Sequence, residues 1–183
     1  PRPSVTLSGV TEVPAAPKAT SNWGQRWTYS EERDVFGTLR AEYDFLPNLT
    51  GYAAYGFLDG KESNVLANLT VRNNNGDGTQ YRFDNARRNI IHTGEVGLKG
   101  VFETGAIGHE VVLSANRYQE KRKNAYVMDW QNTFATDLYS PRYINGIAYS
   151  ANALKGNDLD SPAVTNRVVL TSVALGDTLS FLD

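Results

Sequence analysis

The chain has 183 residues, enough for one domain, and its 18 Lys and Arg against 20 Asp and Glu leave no basic surplus for a nucleic-acid partner or for an anionic membrane surface. Cysteine is absent, which excludes disulfides and thiolate metal sites and leaves the compartment unread. Neither a secretory leader pattern after Pro1, Arg2 and Pro3 nor an apolar run of about 18 residues occurs, but a mean hydropathy of −0.43 still suits membrane strands, which alternate apolar and polar residues and average low.

Residues 1–33 hold four of the seven prolines and the aromatic group Trp23, Trp27 and Tyr29 without any period, and are expected to form a loop or extended segment. Period-two alternation begins at Asp34. Over 34–45, Val35, Gly37, Leu39, Ala41, Tyr43 and Phe45 share one face, and the mostly charged set Asp34, Phe36, Thr38, Arg40, Glu42 and Asp44 shares the other, the signature of a strand with two different environments. Leu46-Pro47-Asn48-Leu49 supplies turn chemistry, and a second strand near 50–59 returns. Its Gly, Ala and Tyr content makes both registers largely apolar, so its faces stay open.

Residues 60–91 are polar and contain Asn73-Asn74-Asn75-Gly76-Asp77-Gly78, which predicts a long loop. Alternation resumes at 92–103, with Gly94, Val96, Leu98, Gly100 and Phe102 opposite Thr93, Glu95, Gly97, Lys99 and Val101. After the turn at 104–108, residues 108–119 return with Val111, Leu113 and Ala115 on one side. A second loop is expected over about 120–166, then a strand near 167–175 whose faces the sequence does not separate.

The predicted fold is therefore all-β: an antiparallel meander of about five long strands, with short turns alternating with long loops. Within a compact domain, loops of thirty residues would count against the strands. In a transmembrane β-barrel they are expected, since turns on one side are short and loops on the other long, and strands of about ten residues cross the hydrocarbon layer. The alternative is a soluble β-sandwich, a carbohydrate-type ligand-binding module, whose strands run about five to six residues. Glycine at Gly37, Gly94 and Gly100 on the apolar faces favours the barrel, because it adds little to a packed core.

Several stretches in order carry a family resemblance: Trp27-Thr28-Tyr29, Asp34 through Asp44, Asn48-Leu49-Thr50, Tyr52-Ala53-Ala54-Tyr55-Gly56, Tyr81-Arg82-Phe83-Asp84-Asn85, Thr93 through Gly100, and Ser172 through Phe181. Over roughly residues 23–183 the chain resembles the barrel wall of TonB-dependent ferric-siderophore receptors. The resemblance implies an outer-membrane protein of a Gram-negative bacterium with a 22-stranded barrel, of which 34–183 would be a partial segment. The family's plug domain and TonB-contacting box have no counterpart in these residues. Implied partners are a ferric siderophore, TonB through parts not in these residues, and outer-membrane lipid, with no nucleic acid. No cofactor is bound directly, since iron arrives inside the siderophore, and no enzymatic activity is implied. Taken alone, the chain is expected to self-associate through its open strand edges and apolar face.

By the same resemblance, the aromatic residues in the expected loops, Trp23, Trp27, Tyr29, Tyr81, Tyr126, Trp130 and Tyr139, together with Arg82, are candidate ligand contacts. Rings offer large contact area at low entropic cost, but loop packing or an interfacial belt also accounts for them. Arg87, Arg88, Arg117, Lys121, Arg122 and Lys123 would attract an anionic chelate, or form a solvated rim. Asn73, Asn75 and Asp77 lack the twelfth-position Glu of a calcium loop and make a turn instead. His92 and His109 have no metal-ligand spacing, and no nucleophile motif accompanies them.

Overall fold

The structure, a computed structural model, describes residues 3–181. Every regular element among them is a strand: β1 Val5–Leu7, β2 Tyr29–Leu46, β3 Leu49–Val71, β4 Asp77–Thr104, β5 Ile107–Asp137, β6 Leu154–Gly156 and β7 Val164–Phe181. All seven belong to one sheet. A sandwich needs two facing sheets, so the soluble alternative has no support in the described residues. The sheet is mixed and not purely antiparallel, because β1 runs parallel to β3, with Val5 opposite Leu69 and Leu7 opposite Val71.

Five strands are long, as expected, but they run well past the alternating stretches. β3 continues to Val71 and β4 starts at Asp77, so the loop predicted over 60–91 is a hairpin arm closed by a short turn. The turn is built by Asn73, whose Oδ1 accepts from the backbone N–H of Asn75 and Asp77 at 3.0 and 3.1 Å, with Gly76 at φ 99°. β5 likewise continues to Asp137, and the long connections among the described residues are two, one between Leu7 and Tyr29 and one between Asp137 and Val164, the latter interrupted by β6. Polar residues on both faces erase the period-two signal, yet backbone pairing needs no apolar face. At 18 to 31 residues, these strands are roughly two to three times the length that a membrane crossing requires.

The chain divides into two compact units. The first comprises the chain up to Arg33, Lys61–Arg88 and Lys123–Ala163; the second comprises Asp34–Gly60, Asn89–Arg122 and the chain from Val164. Every buried hydrophobic side chain among the described residues lies in the first unit, where Leu69, Val71 and Leu138 form a cluster with Val10 and Trp23 packed against it.

The second unit is a single layer, ordered β2-β3-β4-β5-β7, with no covering layer. Pro47-Asn48 and Gly105-Ala106 close its two-residue turns, and Gly105 at φ 63° supplies the positive φ that a type II′ hairpin turn demands. Contacts over its glycines settle the faces left open above. Phe45 and Leu98 lie over Gly51, and Phe57 over Gly37, which joins Val35, Leu39, Tyr43, Phe45, Ala53, Tyr55, Phe57, Val96 and Leu98 on one face. Phe102 stacks on His109 at 4.9 Å, and His109 meets Asp177 at 2.8 Å, which adds Val111, Leu113, Val169, Val173, Leu175 and Leu179. The opposite face holds a polar network: Arg40 with Glu42 at 2.7 Å and over the Tyr52 ring at 4.5 Å, Tyr52 Oη donating to Glu95 at 2.7 Å, and Lys99 with Glu110 at 2.7 Å.

Candidate functional site

In the first unit, β2, β3, β4, β5 and the segment before β7 line an open cavity of about 900 Å³. Its walls carry five cations, Arg33, Lys61, Arg87, Arg88 and Lys123, against four anions, Glu31, Glu32, Glu62 and Asp160, with the hydroxyls of Ser30, Ser63 and Ser161 between them. Arg87 is paired with Glu62, which is held in turn by Asn64 Nδ2. Among the described residues Arg33, Lys61 and Lys123 make no such pair, but neither do Glu31, Glu32 and Asp160, so the lining presents cations and carboxylates in near balance. A charged, hydroxyl-lined pocket of this size accommodates a hydrophilic small molecule.

A second constellation is closed by its own contacts. Arg82 donates from Nε and Nη2 to both oxygens of Asp84, at 3.0 and 2.8 Å, and from Nη1 to the Ile147 carbonyl at 3.2 Å. Its guanidinium also lies 4.8 Å from the ring centre of Tyr149 and 5.9 Å from that of Trp27. The bond to Asp84 raises the guanidinium above its ordinary value, and burial holds the Tyr149 phenol far above the usual range, so Arg82 stays charged and Tyr149 neutral. The charge of Arg82 is matched internally by Asp84.

Behind it, Gln80 is fully buried and ties three segments together. Its amide nitrogen donates to the carbonyls of Trp23 and Ala67 at 2.8 and 3.0 Å, and its oxygen accepts from Gln25 at 2.9 Å. Gln25 also donates to the Arg142 carbonyl at 2.8 Å and accepts from Ile144 N–H at 3.0 Å. None of these glutamines stood out in the sequence, because a lone Gln in a polar stretch has no pattern to mark it.

The sequence candidates fall into two groups. Trp23, packed against Leu69 and Val71 with its indole N–H on the Pro3 carbonyl at 2.9 Å, Trp27, Arg82, Tyr81 near Asn68 Nδ2 at 3.4 Å, and Tyr126 packed on Gly156 serve the unit's own packing. Tyr29, Trp130 and Tyr139 are exposed, with Tyr139 Oη on the Ala15 carbonyl at 2.7 Å. None of the eight lines the charged cavity, although Tyr29 immediately precedes Ser30, which does. Among the described residues no group of three His, Asp or Glu is placed to hold a metal ion.

Asp129 predicts a pH effect. It is buried and accepts from the backbone N–H of Ser150 at 2.6 Å and of Asn132 at 3.1 Å. The Ser150 N–H, ahead of the opposing cost of burial, holds its carboxyl below the ordinary aspartate range. A depressed folded-state pKa contributes stability that is present above the unfolded value and is lost as pH falls through the folded one. Hydrogen exchange at Ser150, corrected for intrinsic rates, should therefore lose protection on acidification below the normal aspartate range, and Asp129→Asn should lose it already at neutral pH. Equal protection in both proteins at both pH values would refute the anchoring role.

No family model matches the chain. Over 182 residues, all of this chain, it is 33% identical to the ferrichrome receptor FcuA of Yersinia enterocolitica. Among solved structures it resembles BauA, the ferric preacinetobactin receptor of Acinetobacter baumannii, at 26% identity and a TM-score of 0.78 over 98% of the chain. It also shares its fold with the siderophore receptor PiuA of the same organism, at 16% identity and a TM-score of 0.66 over 97% of the chain. The chain spans about a quarter of each relative's length, 23, 26 and 28%.

Proposed function

We propose, on the premise that the chain is a segment of a TonB-dependent siderophore-receptor barrel, that the complete protein captures a ferric siderophore at the outer membrane of a Gram-negative bacterium and imports it with energy supplied through TonB. The alignment of the whole chain with a ferrichrome receptor carries this reading. The second unit then forms barrel wall, with its apolar face toward lipid and its Arg40–Tyr52–Glu95 face toward the lumen, as alternation in such barrels requires. The first unit supplies ligand contacts, and within its charged pocket Arg33, Lys61 and Lys123 are the groups that meet the anionic periphery of a chelate. Iron arrives already chelated, and the chain performs no reaction.

Uptake of radiolabelled ferric siderophores by cells expressing the full receptor tests the reading. The triple variant Arg33→Gln, Lys61→Gln, Lys123→Gln should raise the half-saturating concentration roughly tenfold, since three exposed charge contacts contribute about 0.5 kcal/mol each. Wild-type receptor assembled in the membrane but importing none of a panel of siderophores would overturn the proposed function. Unchanged half-saturation in the triple variant would overturn the assignment of the cavity.

A further inference from the structure

We propose that Asn145 is a site of spontaneous covalent modification, at which the main-chain nitrogen of Gly146 displaces ammonia and converts the asparagine into aspartate and isoaspartate. The sequence holds two Asn-Gly pairs, Asn75-Gly76 and Asn145-Gly146. Glycine favours this reaction because, without a Cβ, its nitrogen swings readily onto the preceding side chain. Both pairs are therefore chemically competent, and the fold separates them.

Asn75-Gly76 is locked. The Gly76 N–H donates to the Asn73 carbonyl at 3.3 Å, and the Gly76 carbonyl accepts from Leu138 N–H at 2.9 Å. Asn75 N–H is held by Asn73 Oδ1 at 3.0 Å. Gly76 is buried, and a Cβ placed on it would lie 2.6 Å from the Tyr139 ring, so this peptide has no room to rotate. Asn145-Gly146 is open. Both residues are exposed in a segment outside any strand. Among the described residues no hydrogen bond engages the Asn145 side chain or the Gly146 N–H, and nothing lies within 4 Å of where a Gly146 Cβ would stand. Gly146 holds φ 130°, which glycine adopts without strain.

In the reaction the Gly146 nitrogen loses its proton and bonds to Asn145 Cγ, and the side-chain amide nitrogen leaves as ammonia. Water then opens the cyclic imide. Cleavage of the bond to Cγ gives aspartate, and cleavage of the bond to the main-chain carbonyl carbon gives isoaspartate, whose backbone runs through Cβ and Cγ and is one atom longer. The site sits between two anchors. Ile144 N–H donates to Gln25 Oε1 at 3.0 Å, and the Ile147 carbonyl accepts from Arg82 Nη1 at 3.2 Å. A longer backbone between these fixed points displaces at least one of them, so isoaspartate loosens the segment that Gln25 and Arg82 hold, whereas aspartate adds only a charge.

The test is incubation of the folded full receptor in neutral detergent and mildly alkaline buffer made with heavy-oxygen water, followed by digestion with trypsin and mass spectrometry. Cleavage after Arg72, Arg82, Arg142 and Lys155 places the two asparagines in separate peptides, 73–82 and 143–155. Peptide 143–155 should gain heavy oxygen as a mixture of aspartate and isoaspartate at residue 145, at least several-fold faster than peptide 73–82 gains it at residue 75. In receptor unfolded with urea the two rates should converge, and Asn145→Gln should abolish the change at residue 145. Amide exchange at Ile144 should be faster in aged wild-type receptor than in equally aged Asn145→Gln. Conversion of Asn75 as fast as Asn145 in the folded receptor, or retention of Asn145 while the unfolded chain converts, would overturn the site. Equal Ile144 exchange in the two aged proteins would overturn its consequence for the Gln25 anchor.

Discussion

Leu39→Arg and Leu98→Arg should each sharply reduce assembly of the receptor into the outer membrane, while Thr38→Arg is tolerated. Leu39 and Leu98 are 73% and 43% exposed in a unit that has no core of its own, so nothing in these segments covers them. Both belong to the face that carries Phe45 over Gly51 and Phe57 over Gly37. A cation at mid-bilayer on the lipid side of such a barrel costs roughly 2 to 4 kcal/mol, a large share of the 5 to 15 kcal/mol by which domains are ordinarily stable. Thr38 points the other way, toward Gly56 and Thr93, on the face where Arg40, Glu42, Glu95 and Lys99 already sit. Heat-modifiable mobility on gels measures assembly, and equal yields for the three variants would reverse or abolish the assignment of faces.

Gln80→Leu should loosen the first unit at two distant places together. The substitution nearly conserves volume, so packing changes little, but the carbonyls of Trp23 and Ala67 lose their donor and Gln25 loses one acceptor. Each buried polar group left without a partner costs about 1 to 3 kcal/mol, so the two carbonyls cost roughly 2 to 6 kcal/mol together when Gln25 keeps its bond to the Arg142 carbonyl. Trypsin should then cut after Arg26 and Arg142 at similarly increased rates, because both segments hang on the Gln25–Gln80 pair. Adding Gln25→Leu should cost less than the sum of the two single changes, as expected when both partners of a hydrogen bond become apolar. Unchanged cleavage in Gln80→Leu would show that the segments are held by other contacts.

Sequence alone determined the architecture wherever the two faces of a strand meet different surroundings. Over 34–45 and 92–103 the alternation of Val35, Leu39, Val96 and Leu98 with Asp34, Arg40, Glu95 and Lys99 is visible residue by residue, because a two-residue period forces every second side chain into the same environment. Those stretches identified an all-β chain with long strands, and their similarity to siderophore receptors agrees with the relatives found. Tertiary structure alone decided the rest. The faces of β3 and β7 became clear only through contacts such as Phe57 over Gly37 and His109 with Asp177, since Gly, Ala, Val and Leu on both sides carry no asymmetry to read. The polar arms of β3, β4 and β5 looked like loops because their side chains are satisfied by partners far along the chain: Gln80 meets Gln25 from 55 residues away, and Arg82 reaches the Ile147 carbonyl from 65. Such bonds leave no local period, and the charged cavity, assembled from segments around residues 30, 61, 87, 123 and 160, exists only once the folded chain brings them together.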